Sequence, residues 1–231
     1  MRTIFIWDIH WCFDEFLALL EKINYNPNID KLYLTWDLIN KWPKAVELIN
    51  FLVKNPQIKS VIGNNEVNFL RYLGDFGIKG DFGDLKNNEN YRKLVKKGLF
   101  DRTYWKHNPL FEEYLEKFSK EHIEYLISLP LWIETSDWIL LHGGLVPGKS
   151  LEQHSVDEIT RIRMYEWRPW YEYYNWEKTV VYGHWAADGL RFRQKTKGLD
   201  SGCVYGKRLT AYVWEGEIVQ QSAFKIYLTT D

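Results

Sequence analysis

The sequence predicts an α/β fold, and three observations carry that expectation. Short β-prone runs at residues 3–6 and 31–34 are each followed by a helical pattern, "FDEFLALLEKI" and "PKAVELINFLVK". A third run, "IKSVIG", leads into "VNFLRYL". Each run delivers polar residues to its C-terminal end: Asp8 and His10, then Asp37, then Asn64-Asn65-Glu66. In open α/β sheets ligands bind at that edge, so the placement favours an active site over a surface accident.

The later elements follow in chain order. Residues from about 74 to 124 are charged and aromatic, with an amphipathic stretch "FEEYLEKFSKEHIEYLISL", and read as a helical insertion that caps the sheet. The second half is richer in strands. "LWIET" and "DWILLHGG" predict a hairpin ending at His142, "KTVVYGHW" a strand ending at His184, and "LTAYVWEGEIVQ" a hairpin turning at Glu215-Gly216. No repeat or linker interrupts the chain, so one domain is expected over 1–231.

Composition excludes several classes. With 30 Lys+Arg against 31 Asp+Glu there is no basic field of the kind that holds nucleic acid. Two cysteines, Cys12 and Cys203, are too few for a disulfide framework and form no Cys-rich zinc pattern, which suits a reducing cytoplasm. The opening "MRTIFIWDIH" is broken by Asp8 and is neither a signal peptide nor a membrane span. A soluble, intracellular protein without nucleic-acid or membrane partners is expected.

Asp8, His10, Asp37, Asn64, His142 and His184, all at strand ends, form the donor set of a two-metal centre. Imidazole with carboxylate suits Mn, Fe or Zn. A carboxylate bridging two ions about 3.5–4 Å apart is the usual device of phosphoester hydrolysis, where one ion activates water and both clamp the phosphate. Singly, each residue reads more readily as a capped turn; six in one ordered series do not.

The series "WDIHWC", "WDLINKWP", "GNNE", "LLHGGLVPG", "YGHWAADGL" and "GLDSGCVYGKRLTA" resembles the calcineurin-like metallophosphoesterases over nearly the whole chain. Within them it is most similar to the branch shared by phosphoprotein phosphatases and symmetrical bis(5'-nucleosyl)-tetraphosphatases. The resemblance implies a four-layered α/β/β/α sandwich and two divalent ions, manganese first, with Fe, Zn or Co as alternatives. It makes Asp8 and His10 ligands of one ion, Asp37 the bridge, and Asn64, His142 and His184 ligands of the other. It also implies attack on phosphorus by a hydroxide held between the ions. "RPWYEYY" followed by "VVYGHWAADGL" points to a dinucleoside tetraphosphate split into two nucleoside diphosphates. The alternatives are a Ser/Thr phosphoprotein phosphatase and a catalytically silent nucleotide or phosphoprotein binder.

The chain departs from the family pattern at the site itself. Trp7, Trp11, Trp36 and Trp42 stand where the family has glycine, and Asn65 where it has the histidine that protonates the leaving group. Glycine beside a ligand marks a positive φ or a close approach. A bulky residue forced into such a conformation costs on the order of 1–3 kcal/mol. The tryptophans read as substitutions in an ordinary enzyme, as drift to a silent binder, or as platforms for a nucleobase. Trp105, Trp132, Trp138, Trp167, Trp170 and Trp214 read as core or interface packing. Loss of the general acid removes about 10²–10⁴-fold in rate, although an amide still donates a hydrogen bond.

Lys41 stands where protein phosphatases of this family bind phosphate with Arg, and Asn40 where they carry an Asp that orients the histidine. Arg161 or Arg163 supplies a further cation, or else lies on a solvated helix face. His107, His122 and His154 are expected at the surface, and Asp200 and Cys203 as supporting or structural residues.

Overall fold

A computed structural model describes residues 1–35, 37, 44–75, 87–101 and 110–229. The apolar run after the N-terminus forms β1 (Arg2–Ile6), and α1 (Phe13–Lys22) follows, burying Phe16, Leu19 and Leu20 at helical spacing. β2 (Asp30–Thr35) pairs with β1 in parallel, Ile4 opposite Leu32 and Ile6 opposite Leu34. α2 (Ala45–Lys54) buries Leu48, Ile49 and Leu52 and leads to β3 (Lys59–Val61), parallel to β2. Next come α3 (Asn64–Asp75), α4 (Glu89–Lys96), α5 (Leu110–Lys117) and α6 (Lys120–Ser128).

The second half supplies the hairpin of β4 (Trp132–Glu134) and β5 (Trp138–Leu141), then α7 (Val156–Arg161). A small hairpin of β6 (Met164–Tyr165) and β7 (Arg168–Pro169) follows. The remaining strands are β8 (Thr179–Tyr182), β9 (Arg191–Phe192), β10 (Thr196–Gly198), β11 (Arg208–Val213) and β12 (Ile218–Ser222).

Two mixed five-stranded sheets result, β12-β11-β1-β2-β3 and β4-β5-β8-β10-β9. They face one another across an aromatic seam. Phe5 and Tyr33 of the first meet Trp138 of the second, with ring centroids 5.0 and 4.9 Å apart, and Tyr212 meets Phe192 at 5.1 Å. Edge-to-face pairs of this kind add about 0.5–1.5 kcal/mol each beyond area burial. Helix α1 packs on β11 and β12 of the first sheet. In each sheet three strands are mutually parallel, β1-β2-β3 and β5-β8-β10.

Within the stretch read as an insertion, α5 packs on α3 through Phe69, Phe111 and Tyr114, and α6 packs on α2, where His122 Nε2 meets Asn50 Oδ1 at 2.9 Å. His122 also closes a capping box with Ser119 at the start of α6. His122 and His154 are therefore not surface residues. The Nε2 of His154 accepts the Val146 N–H at 2.8 Å, and burial pushes the His154 pKa down. His107 and Trp105 lie outside the described residues. Trp138 and Trp170 are core residues, but Trp167, at the tip of the β6-β7 hairpin, is 73% exposed.

At the edge of the first sheet Arg2 grips Asp30 through two nitrogens, at 2.9 and 2.6 Å. The guanidinium, aided by the Asn26 N–H, holds the Asp30 carboxyl below its ordinary range. A depressed carboxyl stabilises the fold above its unfolded pKa and loses that contribution as pH falls through the folded one. Arg2→Met is therefore expected to cost about 1 kcal/mol at neutral pH, since Arg2 is partly solvated. The gap in Tm between the two proteins should narrow as the pH is lowered through the acidic range, measured by thermal unfolding.

Candidate metal centre

All six parallel strands deliver a polar residue to one edge. β1 leads to Asp8 and His10, β2 to Asp37, β3 to Asn64, β5 to His142, β8 to His184 and β10 to Asp200. His142 Nε2 is the point of convergence: Asn64 Oδ1 lies at 3.0 Å, His184 Nδ1 at 3.2 Å and Asp37 Oδ2 at 3.6 Å. One imidazole nitrogen cannot satisfy three partners as a donor or acceptor. The separations are those of ligands sharing one divalent ion bound at about 2.0–2.2 Å.

Asp8 stands on the other side of His142. Its Oδ2 accepts the His184 N–H at 3.2 Å, while its Oδ1 is buried with no hydrogen-bond partner among the described residues, 3.8 Å from the His142 Nδ1, which has none among them either. Asp37 Oδ1 accepts the Asn65 N–H at 3.2 Å, at the start of α3. His10 is partly exposed and close enough to oppose protonation of both His142 and His184.

Electrostatics follow from this crowding. Burial, then Asp200 and Asp37, push the Asp8 carboxyl well above its ordinary value. Burial and Glu66 do the same to Asp37. Burial pushes His142 and His184 well below the ordinary imidazole value, helped at His142 by His184 and at His184 by Arg163. Neutral imidazoles are the form that ligates a metal, and buried carboxylates need a cation to hold their charge. The donor set and its orphaned atoms therefore fit divalent ions. Asp8, His10, Asp37, Asn64, His142 and His184 would hold them.

Asp200 was legible only as a supporting residue, yet it is buried beside Asp8 and its carboxylate accepts the Gly202 N–H at 3.1 Å. Arg161, the last residue of α7, is half-buried, whereas Arg163, beyond the helix, is exposed. Arg161 Nε binds Asp157 Oδ1 at 2.7 Å, and its Nη2 reaches Asn68 Oδ1 at 2.5 Å and the Asn64 carbonyl at 3.3 Å. Asp157, absent from the sequence reading, also pairs bidentately with buried Arg71 at 3.0 and 2.8 Å. Arg163 donates through Nε and Nη2 to the His184 carbonyl, at 3.0 and 2.7 Å. The positions of Lys41, Asn40, Trp36 and Trp42 lie outside the described residues.

The tryptophan expectation requires correction. Neither Trp7 nor Trp11 has a positive φ; Asp8, His10 and His184 do, at 36°, 43° and 65°. The backbone strain thus falls on ligands, where it aims side chains inward. Trp7 is 1% exposed and offers no face to a nucleobase. Its indole lies against Gly183, where an added Cβ would fall inside the ring, and its Nε1 has no partner among the described residues. Trp11 is partly exposed and meets Tyr227 edge-on at 5.9 Å.

Buried Asp, Asn and His donors at the common edge of two facing sheets define a metal-dependent hydrolase centre. The chain belongs to the calcineurin-like phosphoesterases, whose family pattern matches residues 1–217. The symmetrical bis(5'-nucleosyl)-tetraphosphatase of Vibrio parahaemolyticus is 26% identical, covering 93% of this chain and 96% of its own. That of Haemophilus influenzae (strain PittEE) is 26% identical, covering 98% and 99%. A crystal structure of a provisionally assigned diadenosine tetraphosphatase superposes with a TM-score of 0.73 at 25% identity, over 96% of this chain and 94% of that one.

Two outcomes test the centre. Manganese at about 100 times its Kd should stabilise the chain by about 2.7 kcal/mol. Asp37→Asn, relieved of a buried carboxylate, should start from a higher Tm without metal and gain little when metal is added. Gly183→Ala should cost roughly 2–3 kcal/mol by overpacking. In a Trp7→Gly background that cost should shrink by at least about 1 kcal/mol, read by urea unfolding as a double-mutant cycle.

Proposed function

We propose that the chain hydrolyses dinucleoside tetraphosphates symmetrically, with diadenosine tetraphosphate giving two ADP. The observation that carries this reading is the convergence of Asp37, Asn64 and His184 within 3.0–3.6 Å of His142 Nε2, in a chain whose relatives carry the tetraphosphatase name over nearly their whole length. The catalytic unit is the single domain 1–231, with residues from about 74 to 124 as its helical insertion. Manganese is the first candidate metal, and a reducing cytoplasm the compartment that suits two unpaired cysteines.

Two divalent ions, when bound, supply Lewis acidity toward phosphate oxygens and a more acidic water. Asp8 and Asp37 would neutralise them, and His10, Asn64, His142 and His184 would complete their surroundings. Arg161 holds the Asn64 backbone in place, and with Lys41 and Arg163 adds positive charge on the phosphate side. Asn65 carries the slow step. Its backbone N–H is committed to Asp37, while its side-chain Nδ2 is buried and unpartnered among the described residues. That amide donates a hydrogen bond to a departing oxygen but cannot give it a proton. Binding survives this substitution better than turnover, which favours a slow or silent enzyme as the second reading.

Manganese-dependent ADP release from diadenosine tetraphosphate is expected to be slow and to rise about 10²–10⁴-fold in Asn65→His. Equal rates at equal metal content would remove Asn65 from the mechanism. Phosphate release from a phosphopeptide with no ADP from the dinucleotide would make the chain a protein phosphatase. Ligand-induced stabilisation with no turnover in either version would make it a binder.

A further inference from the structure

Cys12, Glu15 and Cys203 are buried together, and their sulfur and carboxylate atoms all lie within 4.8 Å of one another. Cys12 caps the start of α1, Glu15 stands in its first turn, and Cys203 opens the short turn Cys203–Tyr205 beyond Asp200. A third segment closes over them. Glu15 Oε1 accepts the Phe224 N–H at 2.7 Å, and the Tyr227 hydroxyl lies 2.9 Å from both carboxylate oxygens.

Glu15 is 0% exposed, and no Lys, Arg or His pairs with it among the described residues. A carboxylate withdrawn from water without a cation costs several kcal/mol. Two thiols beside it are soft donors, which select zinc-like ions over magnesium, calcium or manganese. None of the three belongs to the Asp8–Asp37 donor set, and that set contains no sulfur. The cysteines are far apart in sequence, so no local spacing announces the cluster.

We propose that Cys12, Glu15 and Cys203 form a second, separate cation site for a thiophilic divalent ion of the zinc class, with the Tyr227 hydroxyl as the adjacent oxygen donor. Such an ion ties the loop after His10, the turn after Asp200 and the segment 224–227 into one knot. Structural zinc sites are closed and four-coordinate, which this buried position matches.

The chain has two cysteines in all, so thiolate-to-metal absorption can arise only here. Chelated, reduced protein titrated with cobalt is expected to develop the thiolate-to-cobalt charge-transfer band, saturating at one thiolate-bound cobalt per chain. The band should persist in Asp37→Asn and vanish in Cys203→Ser. In the unmutated chain, loaded with manganese and then zinc, a mercurial thiol reagent is expected to free one zinc for two thiols consumed. Cobalt saturation without the band overturns the proposal, and so does a band unchanged in Cys203→Ser. Two thiols titrated without zinc release, or a chain whose cysteines are found joined as a disulfide, overturns it equally. The band and the zinc release are both read on the unmutated chain, so misfolding of Cys203→Ser leaves the test intact.

Discussion

Buried negative charge at the strand edge is the constraint on which the rest of the structure depends. Asp8, Asp37 and Asp200 sit within one another's fields with little access to water, and the imidazoles beside them resist protonation. Among the described residues Arg161, Arg163 and Lys207 offset part of this charge. The sandwich therefore carries a local electrostatic penalty, offset by the apolar seam of Phe5, Tyr33 and Trp138 when no cation is present. Stability and function pull in opposite directions at this edge, as they commonly do where a fold holds a preorganised centre.

The tryptophans fit this picture as packing rather than as recognition. Trp7 fills the space over Gly183 and leaves its indole nitrogen without a partner among the described residues, a cost of about 1–3 kcal/mol. In return it buries a large apolar surface between β1 of one sheet and the end of β8 in the other. A glycine at position 183 is what makes this possible. The bulky residue and the missing side chain are complementary halves of one contact.

Much of the site was legible because each ligand follows a strand whose hydrophobic pattern is strong, as in "LYLT" before Asp37 or "WILL" before His142. Asp200 was not seen as part of the cluster because β10, Thr196–Gly198, holds no large apolar residue and so carries almost no hydrophobic signal, unlike the run "IKSVIG" before Asn64. The burial of His122 and His154 was hidden for another reason. One is fixed by a helix cap and the other by backbone groups of a loop, contacts that leave no trace in hydrophobic spacing. The fit of Trp7 depends on a glycine in the opposite sheet, which no local reading reaches.

The donors come from five strands in two sheets, and they run from Asp8 to His184 along the chain. Such a centre has no local precursor. An unfolded or half-formed chain offers isolated acids and imidazoles, and bringing them together requires closing loops of many tens of residues. A metal ion can therefore enter only late in assembly, after both sheets have docked, and its capture rewards completion without guiding the route. Conversely, loosening of either sheet disperses half the donors at once, so retention of the ion reports the integrity of the whole sandwich.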